Sequence, residues 1–192
     1  MMNKIILASQ SPRRKQLLEW AEIPFEIIVE PTDESYPETL PIDQVPVYIA
    51  LHKAKAVQQK LNEHQKNNII LAADTVVVLH NKIIGKPKDR EDAIKILSAL
   101  SGKEHKVITG VVLAEGEKHI SFADSTTVLF HELTKEQISF YVDKYKPYDK
   151  AGAYAIQEWI GVVGIKKVEG DFYNVMGLPV SRVVQELNEL IS

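Results

Sequence analysis

The chain has 192 residues, 45% hydrophobic and 26% charged, with a formal net charge of −3 and no cysteine. That length suits a single domain, residues 1–192, burying roughly 70% of the unfolded surface, and it excludes disulfides, thiolate nucleophiles and zinc–thiolate sites. The charge excludes a broad nucleic-acid footprint, and only four apolar residues precede Ser9, too few for a signal-peptide core, so the expected location is the cytoplasm, with neither nucleic acid nor membrane as partner.

Ile5-Ile6-Leu7-Ala8 reads as a short buried strand. The segment Ser9-Gln10-Ser11-Pro12-Arg13-Arg14-Lys15 has the punctuation of a helix start. Ser11 is the N-cap, Pro12 takes the first helical position, and Leu17-Leu18 lie beyond. Cations in a first turn oppose the helix dipole. Three in a row, where free N–H groups attract anions, point to a bound phosphate over a merely solvated basic turn. Phe25 to Val29 is a second strand. The polar stretch from Glu30 to Pro46 carries Asp33, Glu34 and Glu38, and an acidic loop of this kind is either plain surface or a source of hard-cation ligands. A helix begins at Val47, with Tyr48, Ile49, Leu51, Ala54, Val57 and Leu61 as its apolar positions and Lys53 and Lys55 along it.

The stretch Ile69 to Pro87 is the most informative. Its apolar run is split by Asp74-Thr75, and an ionised Asp in a buried strand needs a cation, a metal or a ring of donors. After a turn at His80-Asn81 comes Gly85-Lys86-Pro87. A hairpin would carry Lys86 back to the Asp74 end of the sheet, either as a structural ion pair or as part of a site. Asp89 then caps a helix through Leu100 that stops at Gly102. Two β-rich runs, Lys106 to Leu113 and His119 to Phe130, flank a hairpin signal at Glu115-Gly116-Glu117. Thr134 and Gln137 form a capping box for a helix to about Lys146, ended by Pro147. Ala151 to Gly177 holds five of the nine glycines and reads as glycine-rich loops and short strands. Within it Gln157 either satisfies loop backbone or reads a nucleobase edge. Gly177-Leu178-Pro179 opens a last helix with Val183, Val184, Leu187 and Leu190 as its stripe.

This order of elements predicts an α/β fold: elongated and two-lobed, with a central mixed twisted sheet flanked by helices and a cleft between a lobe from the chain ends and one from the middle. A basic helix start, an acidic loop, a buried Asp near a Lys turn and a glycine-rich loop with an amide form the equipment of a phosphoanhydride-cleaving site. No GxxxxGK[ST], HExxH or nucleophile elbow is present, and the six His do not cluster at ligand spacing.

The chain resembles the Maf family of nucleoside triphosphate pyrophosphatases. The matching segments are LASQSPRRKQLL, Asp33-Glu34, Ala50-x-x-Lys53-Ala54, AADTVVV, GKP, LSGKEHKVITGV, DKAGAYAIQ and YNVMGLPV, which span nearly the whole chain in order. The resemblance implies a Maf/ITPase-like fold and hydrolysis between the α- and β-phosphates. It implies Asp74 as proton acceptor, Glu34 with Asp74 holding Mg²⁺ or Mn²⁺, Lys53 and Lys86 neutralising phosphate, and Ser9 and Arg14 in the phosphate-binding turn. Arg13, Thr75 and Gln157 match the triplet of the dTTP/UTP-preferring branch, which implies those substrates, modified pyrimidine nucleotides among them, and a role in cleansing the nucleotide pool. A homodimer is the implied assembly. Two positions depart from the family pattern beside the expected base pocket: Ala155 before Ile156, and Glu158-Trp159 after Gln157, where glycine is common. The alternatives are the 7-methyl-GTP branch of the same family, and a non-catalytic nucleotide-binding regulator of cell division. Against the latter, binding alone requires neither a base nor a metal ligand.

Overall fold

A computed structural model describes residues 4–191. Seven strands form one mixed sheet in the order β2-β1-β3-β5-β6-β7, with β4 paired to β3. The strands are β1 (Ile5–Leu7), β2 (Phe25–Ile27), β3 (Ile70–Leu79), β4 (Lys82–Ile84), β5 (Glu104–Glu115), β6 (Lys118–Phe130) and β7 (Ile165–Glu169). The helices are α1 (Pro12–Trp20), α2 (Val45–Gln58), α3 (Arg90–Leu100), α4 (Lys135–Tyr145), α5 (Trp159–Gly164), α6 (Phe172–Met176) and α7 (Val180–Ile191). The expected α/β class with a mixed sheet and flanking helices is what the chain adopts. Two compact units divide it: one from 1–74, 109–124 and 177–192, the other from 75–108 and 125–176.

In the first unit β1 pairs in parallel with both β2 and β3. The buried faces of three strands contribute every second residue to one core: Ile6 and Ala8, Ile70 and Ala72, Val112 and Ala114. Against them α2 sets Ala50, Ala54 and Val57, spaced four and three apart on one face. Alanines on both sides let the helix lie close to the sheet. The approach is closest at Gly110 of β5, where a Cβ would fall 2.2 Å from Val47 N and 2.3 Å from Pro46 C. The helix starts at Val45, two residues ahead of the expected Val47. Pro46 sits in the first turn, where a missing N–H has no partner to lose.

In the second unit β3 and β4 form the expected hairpin, with Val77 opposite Ile84. Its two-residue turn, His80-Asn81, has φ of 49° and 59°, the left-handed pair a type I′ turn requires. The other start signals behave as read. Asp89 accepts from Asp92 N at 2.9 Å to cap α3, and Thr134 and Gln137 close a complete capping box on α4. Arg90 ties the two helices together with a bidentate grip on Asp143 at 2.6 and 2.9 Å.

The glycine-rich stretch is a correction. Between Ala151 and Gly177 lie two short helices, α5 and α6, as well as β7. Its glycines break no helix where they permit close packing. A Cβ on Gly161 would lie 1.7 Å from the Ile156 carbonyl oxygen, and one on Gly164 would lie 3.1 Å from Leu133. Among the described residues no helix is long and apolar enough to cross a membrane.

Candidate active site

Burial along β3 falls at two adjacent residues only, Asp74 and Thr75, in the middle of an otherwise buried strand. The acid–hydroxyl pair therefore stands where the strand opens. The cation that meets Asp74 is Lys53, whose Nζ donates to Oδ1 at 2.8 Å. The sequence pointed to Lys86 for that pairing. Lys53 follows Ala50 by three residues and precedes Ala54, on the flank of the apolar face that presses α2 onto the sheet. That close approach carries its ammonium to the strand. The same ammonium lies 2.8 Å from Glu34 Oε1. One lysine thus bridges two carboxylates; its side chain is 18% exposed, Asp74's 16% and Glu34's 54%.

Glu34 reaches this position from an irregular loop that its neighbour stiffens. Asp33 accepts the backbone N–H of Ser35 at 2.9 Å and its hydroxyl at 2.7 Å, a local Asx turn around Glu34. Those hydrogen bonds, the side-chain one first, hold the Asp33 carboxyl below the usual carboxylate range. Asp33 is thus committed to the loop, and Glu34 is the acid the loop delivers.

The basic helix start separates into three roles. Ser11 caps α1 by accepting from Arg14 N, with Pro12 in the first turn. Arg14 is buried. It donates from Nε to the Gly177 carbonyl at 2.8 Å and from a guanidinium NH to Ser9 Oγ at 3.0 Å. Burial pushes its pKa down to about 10, against the opposing pull of Asp74, so it stays cationic at neutral pH. Ser9 Oγ also accepts from Ser11 N at 3.3 Å. Both of those bonds use the oxygen as acceptor, which leaves its proton to donate to an anion. Arg13 is half-buried on the same turn, and Lys15 is a surface residue 3.7 Å from Glu19. Ser9, Arg14, Glu34, Lys53 and Asp74 thus gather in the first unit, with Arg13 beside them. Gly177, read from sequence only as a helix opener, is the acceptor that fixes the Arg14 guanidinium. The position of YNVMGLPV among the matching segments was its one signal.

The remaining candidates belong to the second unit. Thr75 continues β3. Lys86, exposed, lies two residues past Ile84, and the hairpin's register carries it towards the Thr75 end of the ladder. Gln157 is exposed on the turn before α5. It makes no hydrogen bond among the described residues, so the reading in which it satisfies loop backbone does not hold.

Among the described residues no three His, Asp or Glu side chains group as metal ligands. Two carboxylates with a bridging ammonium still fit one kind of ion. Mg²⁺ is commonly held through one or two carboxylates, with phosphate oxygens and water completing its shell.

The fold and the cluster define an α/β protein with a basic helix N-terminus and, beside it, an acid pair bridged by a lysine. A family model described as Maf-like protein matches residues 4–190, and the chain belongs to that family. A relative from Cytophaga hutchinsonii is 49% identical over 188 residues, covering 98% of this chain and 84% of its own. Relatives from Parabacteroides distasonis and Porphyromonas gingivalis are 46% and 47% identical, covering 96% and 97% of this chain and 94% of theirs. All three bear the name dTTP/UTP pyrophosphatase. Among solved structures, the Staphylococcus aureus Ham1 protein aligns with 68% of this chain and 73% of its own at a TM-score of 0.46 and 13% identity.

Proposed function

We propose that this chain is a nucleoside triphosphate pyrophosphatase that hydrolyses dTTP and UTP to the monophosphate and pyrophosphate. The observation that carries the reading is Lys53 held between Glu34 and Asp74, in the electrostatic reach of buried Arg14. The name of the relatives supports the substrates, as do Arg13, Thr75 and Gln157.

In this reading Ser9, Arg14, Lys53 and Lys86 bind the triphosphate and neutralise its charge, and Arg13, Thr75 and Gln157 set base preference. Lys53 exchanges carboxylate for phosphate when the substrate arrives. Asp74 orients a water molecule and takes its proton. The water oxygen bonds to the α-phosphorus, the bond from that phosphorus to the α–β bridging oxygen breaks, and pyrophosphate leaves with the electron pair. Glu34 and Asp74, with phosphate oxygens, would hold Mg²⁺ or Mn²⁺, which when bound neutralises phosphate charge and acidifies water. The work assigned is removal of unwanted pyrimidine nucleotides in the cytoplasm, by a homodimer.

The test is a screen of ribo- and deoxyribonucleoside triphosphates, pyrophosphate release being measured with Mg²⁺, with Mn²⁺ and with chelator. UTP and dTTP should lead, and chelator should abolish turnover. Nucleotide binding without pyrophosphate release under either metal would overturn the reading.

A further inference from the structure

Gln157 is a central residue of a tight turn, closed by the Glu158 N–H donating to the Ala155 carbonyl at 3.1 Å. That turn is anchored to the interior of the second unit on both sides. Fully buried Tyr141, on α4, accepts the Ala155 N–H on its hydroxyl at 3.2 Å. The same hydroxyl donates to the Glu158 carboxylate. The other carboxylate oxygen of Glu158 lies 3.6 Å from Nζ of Lys150, which is itself 8% exposed and bonds Asp149 at 2.8 Å. Beyond the turn, the first residues of α5 press on the Ile156 carbonyl so closely that only glycine fits at 161.

A partly buried ion pair is weak evidence of stabilisation, because desolvation offsets much of the attraction. This one grips a turn whose single protruding polar side chain is unpaired. We propose that Tyr141, Glu158 and Lys150 are positioning residues that fix the Gln157 amide for reading a pyrimidine base. The inference rests on the pyrophosphatase reading above. An amide offers one acceptor and two donors at its tip, and it discriminates between base edges only if its anchor is placed within about 0.5 Å. Glu158, a departure from the family pattern, then reinforces base selection.

The experiment compares kcat/KM for UTP and CTP in wild type, Gln157→Ala, Tyr141→Phe and the double variant. Tyr141→Phe keeps the ring and deletes the hydroxyl's bonds to Ala155 and Glu158. It should lower the UTP-to-CTP ratio about tenfold, through KM for UTP, with kcat changed by less than about twofold. Gln157→Ala should lower the same ratio, and adding Tyr141→Phe to it should lower the ratio no further. A merely structural tyrosine would reduce both substrates alike and leave the ratio standing. If Gln157→Ala leaves the ratio unchanged, base reading by Gln157 fails. If it lowers the ratio while folded Tyr141→Phe does not, the positioning role is overturned. Should Tyr141→Phe not fold, Glu158→Gln, which keeps the shape and removes the charge facing Lys150, decides by the same ratio.

Discussion

Replacing Asp74 by Asn tests the proposed proton acceptor with little disturbance of the scaffold. Asn preserves an oxygen where Oδ1 now accepts from Lys53 at 2.8 Å, and Glu34 stays 2.8 Å from the same ammonium. The exchange therefore removes one charge and one basic site, with little change of shape. Lys53 keeps a carboxylate partner, so the loss of stability should be about 1 kcal/mol, or about 2–4 °C in Tm for a chain of this length. Turnover should fall on the order of a hundredfold, a rise of about 2.7 kcal/mol in the barrier. At saturating Mg²⁺ KM should change little, because Ser9, Arg14 and Lys53 are untouched, while the Mg²⁺ concentration giving half the maximal rate should rise, because Asp74 shares in holding the proposed ion. Steady-state pyrophosphate release at saturating Mg²⁺ gives kcat and KM, and thermal melting monitored by circular dichroism gives the stability. A variant that melts within a few degrees of wild type yet retains near-normal kcat would show that Asp74 is not the proton acceptor.

Other perturbations test the surrounding construction. Lys53→Met leaves two carboxylate oxygens no more than 5.6 Å apart, since each lies 2.8 Å from Nζ. Their repulsion is about 3 kcal/mol at an effective dielectric of about 20 and nearer 1 kcal/mol after solvent screening at exposed Glu34. Tm should drop and millimolar Mg²⁺ should restore it; a Tm indifferent to Mg²⁺ would refute the acid pair as a cation site. His105 is buried against Tyr154 at 2.7 Å, and burial pushes its pKa down from 6.5 to about 4. The unfolded chain therefore binds a proton that the folded one refuses. Stability should be full above about pH 6.5 and fall by about 3 kcal/mol as pH drops to 4, and urea titrations of His105→Gln should lack that share of the acid limb. At Gly110 a Cβ would meet backbone of α2 at 2.2 Å, so Gly110→Ala should cost more than about 3 kcal/mol in a denaturant titration. Gly85→Ala, with nothing within 4 Å, should be nearly neutral.

Local punctuation was legible because it depends on a few adjacent residues. Ser11, Asp89, Thr134 with Gln137, and the His80-Asn81 turn all do what their residue types dictate. Asp74 was legible because a charge inside an apolar strand has a cost that something must offset. Its partner was not. Lys53 and Lys55 share one helix, and only the seating of α2 on Ala8, Ala72 and Ala114 turns Lys53 to the strand and leaves Lys55 exposed. Arg13, Arg14 and Lys15 look like one basic turn, yet the helix sends Arg14 inward to Ser9 and Gly177 and Lys15 outward to Glu19. The two helices between Ala151 and Gly177 were hidden because glycine reads locally as a breaker, whereas at 161 and 164 it answers to Ile156 and Leu133.

The two acids are the hardest feature to account for without chemistry. Arg13, Arg14 and Lys53 supply three cations, and Glu34 and Asp74 cancel two of them, leaving a surplus of one positive charge. A triphosphate brings several negative charges, so the cluster on its own is poorly matched to that ligand. A protein that only bound nucleotides would do better with the carboxylates replaced by neutral donors, since each repels phosphate at close range. Their presence is consistent with a substrate that arrives together with further cations, a divalent ion and a lysine such as Lys86. In the proposed mechanism those cations turn the acids from a penalty into ligands and a base. The two acids must still be held near each other without flying apart, and Lys53 meets that requirement by donating to both. The bridging lysine and the proposed divalent ion are two sides of one charge balance.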